Sequence, residues 1–288
     1  MTIWNLGSIN IDRVYRVPHL PAPGETLAAT DQSEGLGGKG ANMSVAAARA
    51  AAHVVHIGAI GADGRWAAER LLEYGVDTRC ISEVSGATGH AIIAVDAAGE
   101  NNILLYPGAN AIISEGMVGA ALAQASPGDW LLMQNETSGQ DHAVRMAKDL
   151  GLQVAYAAAP FDAGAVQAVR PLLDLLIMNA VEAQQLQEAT GLSPKALGVG
   201  CVIVTRGAEG ATLFENGAVT QFPAVPAKAV DTTGAGDTFT GYVVAGLSRG
   251  ESAAQAITRA ILAASIMVTR VGTADVIPDL KDIEDARL

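Results

Sequence analysis

The stretch Val230-Asp231-Thr232-Thr233-Gly234-Ala235-Gly236-Asp237-Thr238-Phe239 runs from a polar, glycine-rich turn straight into an apolar helical pattern. Phe239, Val243, Val244 and Leu247 recur at helical spacing, and Gly250 stands where such a helix would stop. The turn therefore ends at a helix N-terminus, whose unpaired N–H groups and positive dipole end suit a phosphate or another oxyanion. Gly234 and Gly236 lack a Cβ, so the backbone can approach such an anion closely. Asp237 puts a carboxylate in the first helical turn. A carboxylate there could take the proton of a hydroxyl attacking a phosphoryl group. Plain N-capping accounts for an Asp at this position equally well, so the motif decides little until the rest of the chain is read.

Outward from it, strand and helix patterns alternate. Residues 3–6 read as a short buried strand, and it ends in Gly7-Ser8-Ile9-Asn10-Ile11-Asp12. Gly35-Leu36-Gly37-Gly38-Lys39-Gly40-Ala41-Asn42 leads into a run of strong helix formers over 43–52. One Lys and one Asn in such a loop suit a neutral polyol better than a pyrophosphate, because neither the dinucleotide glycine spacing nor a P-loop is present. Strands follow over 53–60, 130–134, 153–156, 173–178 and 202–205, with helices over 65–74, after Ser114, over 139–150 and after Asn179. The run 251–270 reads as a long, nearly uncharged helix expected to be buried. This order predicts a doubly wound α/β fold, a mostly parallel sheet with helices on both faces. Asn10, Asp12, Glu136, Asn179, Glu182, Thr205, Asp231 and Asp237 should then gather along one sheet edge, where such folds bind ligands. For Asn179 and Glu182 a helix cap is the simpler reading, and for the segment 207–210 a turn.

Two hairpins interrupt the alternation. The one over 211–222 turns at Asn216-Gly217, a type I′ signal. The one over 89–106 projects from the main pattern, and with the turn-rich segment 13–37 it is assigned to a small β lid. The main body then comprises 1–12, 38–88 and 107–288.

Composition narrows the function. A net charge of -12 argues against nucleic acid or an anionic membrane as partner. Cys80 and Cys201 lie far apart, and the five histidines show no zinc-type spacing. No apolar run is long enough to span a bilayer and the first residues do not read as a signal peptide, so a cytoplasmic protein is expected.

Taken together, the motifs resemble the ribokinase family of sugar kinases, the PfkB carbohydrate kinases. Those that carry the resemblance are Gly7-Ser8-Ile9-Asn10-Ile11-Asp12, Pro23-Gly24-Glu25-Thr26, Gly37-Gly38-Lys39-Gly40-Ala41-Asn42, Gly108-Ala109-Asn110, Asn179-x-x-Glu182 and the stretch 231–239. The resemblance implies an ATP-dependent kinase acting on the primary hydroxyl of a free pentose, D-ribose first. A nucleoside kinase of the same family is the alternative, and a non-catalytic sugar sensor a more distant one. It implies Asp237 as catalytic base, with Gly234, Ala235 and Gly236 forming the anion hole. Asn10, Asp12, Gly38, Lys39, Asn42 and Glu136 would hold the sugar, and Thr205, Arg206, Gly207, Ala208, Glu209 and Gly210 would lie along ATP. Asn179 and Glu182 would organise Mg²⁺ through its waters. Asp231, Thr233, Arg270 and Gly272 would surround K⁺. Two positions depart from the family pattern: Val276 replaces a hydroxyl residue of the cation loop, and Ile261 replaces a polar residue beside the adenine. The apolar residues on both faces of 91–95 imply a homodimer built through the lid.

Overall fold

The computed structural model describes residues 1–286. Nine strands form one sheet: β1 (Thr2–Leu6), β4 (His53–Ile60), β5 (Asp77–Glu83), β8 (Trp130–Gln134), β9 (Gln153–Ala157), β10 (Leu175–Asn179), β11 (Cys201–Thr205), β12 (Ala211–Glu215) and β13 (Ala218–Phe222). The order is β13-β12-β11-β10-β9-β8-β1-β4-β5. All pairs from β11 to β5 are parallel, and only β12 runs against them, antiparallel to both β11 and β13. Its turn puts Asn216 and Gly217 at positive φ, as the Asn-Gly pair demands.

Side chains alternate across the strands and feed two cores. Ile3, Leu132, Ala155, Ile177 and Ile203 pack under helices α1 (Lys39–Arg49), α2 (Arg65–Glu73), α7 (Ala235–Ser248), α8 (Ala253–Met267) and α9 (Leu280–Asp285). Trp4, Leu131, Met133, Val154 and Leu176 face α3 (Glu115–Leu122), α4 (Gln140–Asp149), α5 (Ala163–Val169) and α6 (Ala180–Thr190). Both faces are thus covered, which is why the central strands read as unbroken apolar runs. The helix expected over 251–270 spans Ala253–Met267, capped by Ser252, and buries one face only; Ala254, Gln255 and Thr258 are exposed.

A second sheet of four strands stands beside the first, in the order β3-β2-β6-β7, from β2 (Asn10–Arg16), β3 (Asp31–Gly37), β6 (Gly89–Val95) and β7 (Asn101–Tyr106). Here the expected boundary shifts. Asn10 and Asp12 do not sit in a turn after β1 but on β2 itself, because 10–16 finds partners on both sides, antiparallel in β3 and parallel in β6. Site residues are therefore carried on the small sheet as well as on the edge of the large one. Every residue of β7 is exposed, Ile103, Leu104 and Leu105 among them.

Candidate active site

The site is built on a close approach of two glycines. Gly7, just past β1, lies against Gly40 in the first turn of α1, and a Cβ on Gly40 would stand 2.3 Å from Gly7 Cα. That contact places Ser8 beneath the start of α1, where its Oγ accepts from Gly40 N at 3.2 Å and donates to Glu136 Oε2 at 2.5 Å. The same carboxylate oxygen accepts from Lys39 N at 3.2 Å. Glu136, two residues beyond β8, thus sits at the N-terminus of α1, where the helix dipole favours an anion. Its Oε1 makes no hydrogen bond among the described residues. Gly38 precedes the helix at φ 95° with no room for a side chain, since a Cβ would fall 2.8 Å from the Ser8 carbonyl.

The small sheet supplies the facing wall. Asp12 lies across Gly37, whose missing Cβ would overlap the carboxylate at 2.1 Å. Asn10 Oδ1 accepts from Asn110 Nδ2 at 2.8 Å, and Asn110 Oδ1 also accepts from Ile9 N at 3.0 Å. Asn110 is fully buried and clamps the strand that carries Asn10. A cavity of about 420 Å³ opens here, with Asn10, Leu105, Asn110, Asn135, Glu136 and Thr137 among its walls.

Of the residues expected to hold the sugar only Asn10 and Glu136 line this cavity; Asp12, Gly38, Lys39, Asn42 and Asp237 do not. Gly234 is the N-cap of α7 at φ 76°, so Asp237 falls in the first turn as expected. Its Oδ2 accepts from Asn42 Nδ2 at 2.9 Å. Burial raises its pKa to about 6, against the pull of the Lys39 ammonium and the Asn42 bond; Glu136 and Glu182 add to the rise. Asp12 is likewise pushed up to about 6, first by burial and then by Glu136 and Asp237, with Lys39 opposing. Four carboxylates, Asp12, Glu136, Glu182 and Asp237, and one ammonium, Lys39, therefore share one field. Such a pair of raised carboxylic acids in a cleft marks a functional site more often than a packing accident.

A second cavity, of about 710 Å³, runs from Asn179, Thr205, Gly207, Ala208 and Gly210 to Ala235, Gly236 and Phe239, with Ile261, Ala264 and Val268 along one side. It is long, largely apolar and ends at the α7 N-terminus, which fits a nucleotide laid with its phosphates toward Gly236. Arg206 and Glu209 are not among its lining residues. Arg206 instead donates from Nε to Thr212 Oγ1 at 3.2 Å. Ala224, Val225, Pro226 and Ala227, which the sequence reading passed over, line it.

Asn179 and Glu182 form a reciprocal cap on α6: Asn179 Oδ1 accepts from Glu182 N at 2.9 Å and Glu182 Oε2 from Asn179 N at 2.7 Å. Burial raises the Glu182 pKa. The cap leaves Glu182 Oε1 and the Asn179 Nδ2 amide group, whose N–H groups can bond to water but not to a metal, so the pair fits a hydrated cation better than a bare one. Asp231 Oδ1 accepts from Thr233 N at 2.9 Å and its Oδ2 from Gly272 N at 3.2 Å, drawing the two loops of the expected cation site together. Arg270 points elsewhere with its charge, to the Val276 carbonyl and Asp282. Among the described residues no cluster of three or more His, Cys, Asp or Glu is arranged to hold a metal.

Besides the lining residues Ala224, Val225, Pro226 and Ala227, Ser8 and Asn110 take part in the site without a role read from the sequence. Ser8 and Asn110 both lie inside motifs quoted above, two residues before Asn10 in the first case and at the end of Gly108-Ala109-Asn110 in the second. Chemically, the whole arrangement offers an acceptor carboxylate, hydroxyl-binding groups facing it and an oxyanion site at its side.

Known proteins are similar to this chain over nearly its whole length. Residues 2–280 match the pfkB family carbohydrate kinase profile. The chain is 37% identical to the ribokinase of Haemophilus influenzae, over 96% of this chain and 95% of that one. It is similar to the crystal structure of ribokinase from Thermotoga maritima, at TM-score 0.90 and 34% identity, covering 99% of this chain and 98% of that one. It is also similar to Arabidopsis thaliana ribokinase complexed with ribose and ATP, at TM-score 0.83 and 28% identity, over 98% and 97% of the two chains. On the strength of a family match over residues 2–280 and of a 37% identical relative covered over 95% of its length, the chain belongs to the pfkB family of carbohydrate kinases.

Proposed function

We propose that the chain is an ATP-dependent ribokinase, transferring the γ-phosphoryl of ATP to the primary hydroxyl of D-ribose to give ribose 5-phosphate and ADP. The observation that carries this reading is the Asn42–Asp237 contact. It holds a buried carboxylate of raised pKa in the field of Lys39 and Glu136, one residue past Gly236, which lines the larger cavity.

Asn10, Asp12, Gly38, Lys39, Asn42 and Glu136 hold the sugar hydroxyls. Asp237 takes the proton of the attacking hydroxyl at Oδ1, the oxygen that Asn42 leaves unoccupied. As the new O–P bond forms and the bond to ADP breaks, the N–H groups around Gly234, Ala235 and Gly236 stabilise the equatorial oxygens. Ala235 N–H already donates weakly to the Thr232 carbonyl at 3.2 Å, which leaves Gly236 as the better placed donor. The walls from Thr205 to Gly210 take the nucleotide. Ile261 packs on its base without a hydrogen bond.

Mg²⁺, held through waters by Asn179 and Glu182, would neutralise phosphate charge. K⁺, in the loops of Asp231, Thr233, Arg270 and Gly272, would tune the amides at α7. Val276 offers that second site no side-chain oxygen, so a weak dependence on K⁺ is expected.

The small sheet serves as a lid. Ile92 and Leu104 pair across it on one face, Ile93 and Ile103 on the other, and the exposure of Ile92, Ile103 and Leu104 supports a homodimer formed lid to lid. No described helix is long and apolar enough to cross a membrane, and we assign the enzyme to the cytoplasm. An ADP-release assay over ribose, 2-deoxyribose, fructose and a set of nucleosides tests the substrate. Fastest turnover of ribose supports the reading, and preference for a nucleoside overturns it in favour of a nucleoside kinase.

A further inference from the structure

Below the contact of Gly7 with Gly40 lies a chain of polar side chains that the reaction itself does not use. Asn5 on β1, Ser44 on α1, His56 on β4 and Gln134 on β8 are all fully buried. Elementary hydrogen-bond chemistry fixes the direction of every link. The Gly7 carbonyl can only accept, so His56 Nε2, 3.0 Å away, carries the proton. Burial lowers the His56 pKa to about 4, partly offset by that bond, and the ring is neutral. Nδ1 is then a lone pair, and Ser44 Oγ donates to it over 2.8 Å. Ser44 Oγ in turn accepts from Asn5 Nδ2 at 2.7 Å, and the same amide donates to the Gly40 carbonyl at 2.8 Å. Asn5 Oδ1 accepts from Gln134 Nε2 at 2.8 Å.

The chain therefore runs from Gln134 through Asn5 and Ser44 to His56, and discharges on the two glycine carbonyls. Gly7 precedes Ser8, and Gly40 follows Lys39. Ser8 and Lys39 are the residues that hold Glu136, and Gln134 stands two places before it. One network thus reaches, from beneath, all three segments that converge on Glu136. Burying four polar side chains is costly unless each is paired, and an apolar filling would serve the fold alone as well. Gln134 Oε1 is the one atom of the network left without a partner; it packs 3.1 Å from where a Gly7 Cβ would stand.

We infer that Asn5, Ser44 and His56 are positioning residues for acceptor binding: their one-way hydrogen-bond chain sets the spacing of Ser8, Lys39 and Glu136. The inference rests on the sugar-kinase reading above, and its test uses whichever acceptor the wild-type enzyme phosphorylates, so a wrongly named sugar would not disturb it. In wild-type protein with ¹⁵N-labelled histidine, His56 should appear as the neutral Nε2–H tautomer, and its ring signals should move on saturation with acceptor but not with ADP alone. Ser44→Ala leaves one Asn5 N–H and His56 Nδ1 without a partner, and we expect the acceptor KM to rise roughly fivefold or more while the ATP KM stays within about twofold. Should that variant fold poorly, Asn5→Leu/Ser44→Ala/His56→Phe/Gln134→Met removes all four buried polar side chains together, which is gentler on stability than unpairing them singly, and it should show the same split between the two KM values. His56 signals indifferent to acceptor would overturn the inference in wild-type protein alone. So would acceptor and ATP KM values that stay level or rise together in the variants, since that is what a merely structural network gives.

Discussion

Asn42 Nδ2 and Asp237 Oδ2 meet at 2.9 Å across 195 residues of sequence and tie the first turns of α1 and α7 together. The bond opposes burial. Burial raises the Asp237 pKa to about 6, and the Asn42 donor holds it below what burial alone would set. Proton transfer needs the carboxylate form, so activity is lost as pH falls through that value. We expect kcat/KM for ribose to drop below about pH 6, more steeply than for one group because Asp12 also titrates at about 6. Asn42→Leu should move the acid limb to higher pH as well as raise the sugar KM. A flat profile from pH 5 to 8 would remove Asp237 from the role of base.

Asp12 reaches the site only because Gly37 leaves room for its carboxylate. Asp12→Ala should weaken ribose by roughly 2 to 4 kcal/mol in calorimetry, the scale of an unpaired polar contact in a dry pocket, with ATP affinity unchanged. Equal weakening of both ligands would make Asp12 a structural residue instead. On stability the sign is opposite to that of a paired carboxylate: a folded pKa raised above 3.8 favours the folded state at low pH, and the benefit is lost as pH rises through about 6.

Gly40→Ala would bring a methyl group within 2.3 Å of backbone on both Gly7 and Ser8. Neither neighbour is a side chain that can swing away. A loss of ~3 kcal/mol or more is expected, read as a fall in thermal midpoint with weakened ribose binding. A variant as stable as wild type would mean the two glycines are farther apart than described.

The exposed apolar residues of the small sheet predict its partner. Ile92→Glu should place an uncompensated charge in a lid-to-lid interface, giving monomers with a raised sugar KM and an ATP site little altered. Wild-type protein that sediments as a monomer at micromolar concentration would contradict the dimer.

Much of this was legible because period and punctuation agree. The central strands are buried on both faces and read as apolar runs, and Gly234-Ala235-Gly236-Asp237 announces the start of α7. The small sheet was harder. Asn10–Arg16 mixes Asn, Asp and Arg with Ile, Val and Tyr, and only pairing with β3 and β6 makes it a strand. Asp77–Glu83 escaped notice for a similar reason: it is an edge strand with no fully buried residue, so nothing in it alternates clearly. The helices Ala163–Val169 and Leu280–Asp285 are too short for a periodic signal. At the site, the residue types proposed to touch a ligand could be read from motifs. Ser8 and Asn110 could not, because they act on other protein groups, and such contacts depend on the fold being assembled.

The central claim is that Asp237 deprotonates a sugar hydroxyl for attack on ATP. Phosphorus NMR of wild-type and Asp237→Asn protein with ribose, ATP and Mg²⁺ tests it most directly, with ribose binding followed in parallel by calorimetry. We expect ribose 5-phosphate and ADP from the wild type, and a rate lowered by ~10² or more in the variant at nearly unchanged ribose affinity. Formation of the same product by Asp237→Asn within about threefold of the wild-type rate would contradict the account.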